Sequence, residues 1–206
     1  AAEVGAKIII TDKLARQSSE NVFSMIGRQL GDGMARKKDG DVIALYSGFS
    51  TDIGAAGRSM SLANVSATVA YAKGKKFGSQ VYIVQHPFAV WDIANTAVTA
   101  STTYPVPAGW SADLLGNFFS GLRPINGVPI FEDGNITIDS NDDAVGVCAD
   151  KSALAVLMSA DTRTERQRDA SLRATEVVIT ADYGVFELDD SKGVALTLDA
   201  GTPATA

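Results

Sequence analysis

SSENVFSMIGRQLGDGMARKKDGDVIALY, residues 18–46, is the stretch on which the fold turns. Val22, Ile26, Leu30 and Met34 recur every fourth residue, which places them on one face of an α-helix. Val42, Leu45 and Tyr46 resume a similar stripe. Ser18 or Ser19, ahead of Glu20, is an N-cap candidate, because a short hydroxyl side chain can accept from an unpaired first-turn amide. A continuous helix over this stretch would be about 40 Å long at ~1.5 Å per residue. The alternative is two shorter helices broken near Gly31 to Gly33. Gly27, Gly31, Gly33 and Gly40 each cost roughly 1 kcal/mol relative to alanine in a helix interior. The expectation is that they serve close backbone approach, with Gly27 and Gly31 on one side of a rod. Arg28, Asp32, Arg36, Lys37 and Lys38 would lie on its outer face.

Working outward, residues 4–11 (VGAKIIIT) read as a strand. Residues 47–59 (SGFSTDIGAAGRS) read as a loop or hinge, and their glycines lack the GxxxxGK(S/T) pattern of a phosphate cradle. A second helix is expected over 61–73 with Leu62, Val65 and Val69 inward, stopped at Gly74. VYIVQHP (81–87) is a strand ended by Pro87, FAVWDIANT (88–96) a helix, 97–108 a polar loop and WSADLLGNFF (110–119) a short helix. The last third turns to β structure. GVPIFED and NITID flank Gly134 as an expected hairpin, followed by AVGVCAD, KSALAVLM, the charged run 161–169, and strands at 176–188 and 193–200. The tail GTPATA reads as a frayed end.

At 206 residues, 46% hydrophobic and 20% charged, the chain can bury one good core or two small ones and is not a disordered type. The net charge is -6, against a dedicated nucleic-acid-binding module, which neutralises phosphates with a basic surface. Residues 1–58 carry 8 basic and 7 acidic groups, 59–149 carry 4 and 7, and 150–206 carry 6 and 10. One cysteine, Cys148, permits no internal disulfide or cysteine-rich metal site and sits in an apolar run as an expected inert thiol. No basic-then-apolar leader or membrane span is read, so a soluble protein of intracellular origin is expected.

Candidate chemistry is thin. His86 is the only histidine, stands before a proline with no nucleophile motif nearby, and is expected to be structural rather than the base of a small hydrolase. Asp139, Asn141, Asp143 and Asp150 fall at positions 1, 3, 5 and 12 of a calcium-loop template. Ala144 stands where that loop wants glycine, so a solvated turn is favoured. The pairs Glu132/Asp133 and Asp189/Asp190 resemble loop charges more than a general acid and base. On a strand, Arg163, Glu165 and Asp169 share one face while Arg166 and Arg168 share the other. Such a strand protects its own edge or pairs with charges on a neighbouring subunit, and the subunit reading is favoured. No catalytic, cofactor-binding or metal residue is assigned, and no enzyme is expected.

The order of the pieces carries a resemblance. TDKLARQSSENVFSMIGRQLGDGMARKKDGDVIALYSGFS (11–50) is followed by an insert containing VYIVQHPFAVWDI (81–93), then GVPIFED (127–133), then TERQRDASLRATEVVITADYGVFELDDSKGVALTLDA (164–200). This resembles the major capsid protein of tailed bacteriophages, the Hong Kong 97-type fold. The resemblance implies an α+β, L-shaped subunit. A discontinuous peripheral domain would comprise residues 1–58, with the N-terminal strand and spine helix, and 151–206, with the closing strands and tail. A mixed α/β axial domain would comprise 59–150. It further implies self-assembly into pentamers and hexamers of an icosahedral shell, and localisation in the virion capsid after assembly in the host cytoplasm. Decoration or scaffolding proteins are possible partners, packaged double-stranded DNA would be touched loosely, and no membrane or cofactor is involved. A cellular encapsulating nanocompartment shares this fold and is the alternative. Members usually carry an N-terminal arm and a long hairpin loop ahead of the spine helix. Of these only the strand AKIIIT (6–11) matches, so no cross-linking residue is carried over.

Overall fold

The computed structural model describes residues 2–18, 21–98 and 127–203. They fall into two compact units, one within 1–42 and 155–186, the other within 43–154 and 187–206.

In the first unit, strand β1 (Ala2–Thr11) runs into helix α1 (Asp12–Gln17), and helix α2 spans Val22–Ile43. Strands β5 (Leu154–Asp169) and β6 (Ala174–Glu187) return from the far end of the chain. The sheet order is β1-β6-β5, with β1 antiparallel to β6 in a register running from Ala2 opposite Tyr183 to Thr11 opposite Ala174. The apolar stripe of α2, Val22, Ile26, Leu30 and Met34, packs against Ile10, Val177, Ile179, Ala181 and Tyr183. Spacing of four in the helix and two in the strand therefore meet on one core. The Tyr183 hydroxyl donates to the Asp41 carboxylate at 2.7 Å, fastening the C-terminal turn of α2 to the sheet, and Lys37 pairs with the same carboxylate.

The spine stretch departs from its reading in three ways. Helix α1 closes at Ser18, whose N–H donates to the Leu14 carbonyl, and the α2 cap is Asn21, whose side chain accepts from the Ser24 N–H. Ser18 is not that cap, because the chain leaves one helix there before it enters the next, and Ser19 lies outside the described residues. Helix α2 is unbroken through its glycines but ends at Ile43, giving about 33 Å of rod. Tyr46 is buried in a 3-10 turn (Tyr46–Gly48) instead of extending the stripe. Among the described residues of the chain itself, the expected close approach is not made. A Cβ built on Gly27, Gly31, Gly33 or Gly40 meets nothing within 4 Å.

In the second unit, α3 (Leu62–Gly74), β2 (Val81–Gln85), α4 (Pro87–Val98), β3 (Ile130–Glu132), β4 (Asp143–Asp150) and β7 (Gly193–Asp199) form a four-stranded sheet with two helices against it. Its order is β3-β2-β4-β7. Ser61 caps α3 through the Asn64 N–H, and Val65, Val69 and Ala72 are buried while Leu62 is only half-buried. Pro87, which cannot donate to a sheet ladder, ends β2 and opens α4, where a missing N–H costs nothing. The core joins these helices to Met60, Ile83, Cys148, Val194, Leu196 and Leu198.

The expected hairpin about Gly134 is not formed. Residues 130–132 pair parallel to β2, the Asp133 N–H donates to the Gln85 carbonyl, and NITID makes a single bridge, Ile138 to Ala144. The expected hinge over 47–59 is tied down instead. Thr51 and Ile53 exchange backbone hydrogen bonds with Ala195, and the Arg58 carbonyl accepts from the Asp199 N–H. Through this strap, and through β7 pairing with β4, residues 43–58 and 187–206 cluster with the insert. The two compact units thus meet along the chain near residues 42, 154 and 186. The expected helix at 110–119 and most of the loop at 97–108 lie outside the described residues.

Candidate assembly interface

Each reactive candidate is occupied by its own surroundings. His86 is 8% exposed, and its Nδ1 accepts the Phe88 N–H at 3.2 Å, with the two rings edge to face at 4.8 Å. Burial lowers its pKa, so the ring stays neutral as a turn fixture. Cys148 lies fully buried in β4, and burial pushes its thiol up to about 12.

The calcium-template residues do not converge. The Asp139 carboxylate accepts the backbone N–H groups of Asn141 and Asp143 at 2.7 and 2.9 Å, which hold its pKa down. Asp143 accepts the Gly57 N–H at 2.6 Å, and Asp150 accepts the Ser152 hydroxyl at 2.6 Å. Asp143 and Asp150 stand at opposite ends of β4, about 23 Å apart at ~3.3 Å per residue, too far for one cation. Asp133 closes a turn on the Asn135 N–H, Asp189 accepts from Ser191, and Asp190 accepts from both the backbone and the hydroxyl of Ser50.

One consequence is measurable in alkali. The raised thiol pKa means the folded state holds that proton more tightly than the unfolded chain, whose ordinary value is 9.0. The stability it contributes is complete below about pH 9 and is lost as pH rises through about 12. At ~1.4 kcal/mol per unit the loss is on the order of 4 kcal/mol. Denaturant midpoints measured from pH 8 to 12 should fall more steeply for the wild type than for Cys148→Ala. Parallel slopes would contradict this.

The charged run on β5 divides its work. Arg168 grips Asp12 with both guanidinium arms, one at 2.7 Å, holding the Asp12 carboxyl below its usual range. Arg166 lies 5.6 Å over the Phe23 ring, and Thr162 accepts from Lys38 at 2.9 Å. That face is therefore turned toward α1 and α2. Arg166 and Arg168, expected at a subunit boundary, serve within the chain. Arg163 and Glu165 point away and are exposed. Asp169 caps the β5–β6 turn through Ser171 and Leu172.

The surface that residue-type reasoning missed is apolar. Val156, Leu157 and Met158, near the start of β5, are 51, 58 and 58% exposed on a strand that forms one edge of its sheet. The signal was present in KSALAVLM, since three consecutive apolar residues on a strand cannot all turn inward. An exposed apolar run on an edge strand is the mark of a partner surface.

A family model described as phage capsid protein matches residues 1–197. The chain belongs to the phage capsid protein family. Among solved structures, a chain from Mycobacterium phage Che8 is 17% identical with a TM-score of 0.71, over 95% of this chain and 70% of that one. The head structure of Helicobacter pylori bacteriophage KHP40 gives 11% identity and a TM-score of 0.74, over 97% and 74%. The SrpI encapsulin complex from Synechococcus elongatus PCC 7942 gives 10% identity and a TM-score of 0.69, over 100% and 76%. No curated protein matches the sequence. The fold is thus of the Hong Kong 97 type, and this capsid protein is a structural component of the virion shell. Among the described residues, no helix is long and apolar enough to cross a membrane.

Proposed function

We propose that this capsid protein closes, through pentameric and hexameric rings, into an icosahedral shell around double-stranded DNA, and that it has no catalytic role. The observation that carries the reading is the edge strand β5, with Val156, Leu157 and Met158 exposed beside Arg163 and Glu165. It offers apolar area for affinity and mixed charge for register. The unit holding α2 and β5 corresponds to the peripheral domain of the family, and the unit holding α3, α4 and β4 to the axial domain. With a net charge of -6, the chain meets the genome through local basic groups alone, so the contact is loose.

Expression followed by size-exclusion chromatography and electron microscopy tests this. Closed particles are expected, and a chain that stays monomeric under all assembly conditions overturns it. Leu157→Asp should leave the unfolding midpoint within about 0.5 kcal/mol, as for an exposed site, yet strongly reduce particle yield. Normal yield would remove β5 from the interface. Likeness to an encapsulin favours a second reading, an enzyme-filled compartment. Particle contents separate the two: nuclease-protected DNA supports the virion, a single co-purifying enzyme the compartment.

A further inference from the structure

Strand β5 is the longest strand among the described residues, contains neither proline nor glycine, and has no strand beside one of its two edges. Two usual guards of an open edge, short length and a proline, are therefore missing, and its outer row of backbone N–H and C=O groups is a template for another strand. Its side chains are ordered along that edge. Val156, Leu157 and Met158 make an exposed apolar half. Asp161 and Arg163, both exposed, follow on the outward face, and Arg166, Gln167 and Arg168 end the strand with long amphipathic stems. Reversed, this order complements itself.

We propose that β5 pairs antiparallel with β5 of a second copy, about a two-fold axis through Thr162 and normal to the sheet, joining two three-stranded sheets into one. With the axis there, Asp161 stands opposite Arg163 of the other copy, and the two-fold repeats the pair. Opposite Cβ atoms lie about 4.5–5.5 Å apart, so the four side chains form a square of alternating sign. In the same register Val156, Leu157 and Met158 face Arg168, Gln167 and Arg166, whose stems cover apolar surface. Those two arginine heads are already engaged in their own copy with Asp12 and the Phe23 ring, so they need no charge opposite them. Lys38, which donates to Thr162, lies 5.7 Å from the Tyr183 ring, which keeps its charge on the β6 side of the strand.

Neighbouring registers do worse. An axis at residue 161 or 163 sets Asp161 or Arg163 against itself, which is repulsive. At 164, Arg163 meets Glu165, but Val156 to Met158 slide past the end of the partner strand into its turn and stay uncovered. At 160 or below, Asp161 and Arg163 face uncharged residues and the ladder shortens. A parallel pair in register opposes like charges throughout. The register at Thr162 alone overlaps residues 155–169, about 46 Å at ~3.3 Å per residue.

A contact that long and one strand wide covers roughly 500 Å² per copy, under the ~800 Å² of a stable free dimer. It therefore forms within an assembly, and in this it rests on the shell reading above. Because a two-fold contact closes on itself, it cannot build a ring of five or six. It joins subunits of neighbouring rings.

Thr162→Cys tests the pairing. At the axis the residue faces its own counterpart with Cα atoms about 4.5–5.5 Å apart, within disulfide range. The native Cys148 is fully buried and does not compete. Particles assembled under reducing conditions and then mildly oxidised should run mostly as covalent dimers on non-reducing gels. Ala160 and Thr164 face each other across the axis, while each lies about 13 Å along the strand from its own counterpart. Ala160→Cys and Thr164→Cys should thus give no dimer singly and a mixed dimer when co-assembled, which decides the register even if Thr162→Cys does not assemble. Adding Arg163→Asp to Thr162→Cys should slow cross-linking several-fold, and adding Asp161→Arg as well should restore it. Normal particles with no Thr162→Cys cross-link, or with a cross-link from Thr164→Cys alone, overturn the pairing while leaving the shell intact. A wild-type chain that forms no particles overturns the shell reading. Cross-linking of whatever oligomer it does form then decides the pairing, and a strict monomer sinks both.

Discussion

Gly54→Ala is expected to cost about 3 kcal/mol or more and to unfold the unit that contains β7. A methyl at Gly54 would overlap the backbone N and C of Thr197, and no flexible side chain is there to move aside. The overlap arises because residues 51–54 run along β7, with Ile53 bonded to Ala195 and Asp52 accepting from the backbone and side chain of Thr197. To admit one carbon, the strap would have to peel from the strand and give up those bonds. Gly57→Ala is the control. It sits at φ +69 with nothing within 4 Å, so its cost should be only the left-handed backbone strain, about 1–2 kcal/mol. Urea midpoints for the two variants should therefore separate clearly. A Gly54→Ala protein with the wild-type midpoint would mean that the strap is not seated on β7.

The second large effect is expected at Gln85→Leu. Gln85 is fully buried at the end of β2, where its amide donates to the Leu196 carbonyl at 3.1 Å and its oxygen accepts the His86 N–H at 3.0 Å. To reach β7 it must cross β4, and it does so over Gly146, which lies opposite Leu196 in the ladder. A Cβ at Gly146 would strike both the Gln85 side chain and the Val84 carbonyl. Leucine fills the space but leaves a buried donor and a buried acceptor unpaired, at ~1–3 kcal/mol each. A combined loss of about 2–5 kcal/mol is expected, and Gly146→Ala should approach it by displacing the same side chain. Thermal melting reads both. A Gln85→Leu variant melting with the wild type would show that those groups find other partners.

These two sites mark where the sequence could be read and where it could not. The buried stripe of α2, the alternation in β6 and the apolar run of β4 are periodic, and periodicity is a local property. Strand partners are not local. Nothing in GVPIFED announces that it runs parallel to VYIVQ, and Gly134 suits a hairpin as well as the turn that is formed. Glycine is ambiguous for the same reason. Gly31, in a helix, looked like a contact residue and meets open space, while Gly54, in a loop, looked like a hinge and is pressed on a strand. The burial of Cys148 among apolar residues and the turn position of His86 before Pro87 were legible from their neighbours. The charges on β5 were correctly assigned to two faces. Which face looked outward depended on where α1 and α2 would lie, a fact set by Asp12 and Phe23 about 140 to 160 residues away in the chain.

That separation also sets a clock. Strand β1 can pair only with β6, which begins at Ala174. At ~5–20 residues per second a ribosome needs roughly 7–30 s to travel from the end of α2 to the end of β6. For that interval Val22, Ile26, Leu30 and Met34 have no sheet to cover them. The delay protects as well as exposes. A chain truncated before β6 cannot complete its first sheet, and so cannot present β5 on a formed edge. Under the β5 reading proposed above, an incomplete subunit would lack the edge through which copies join.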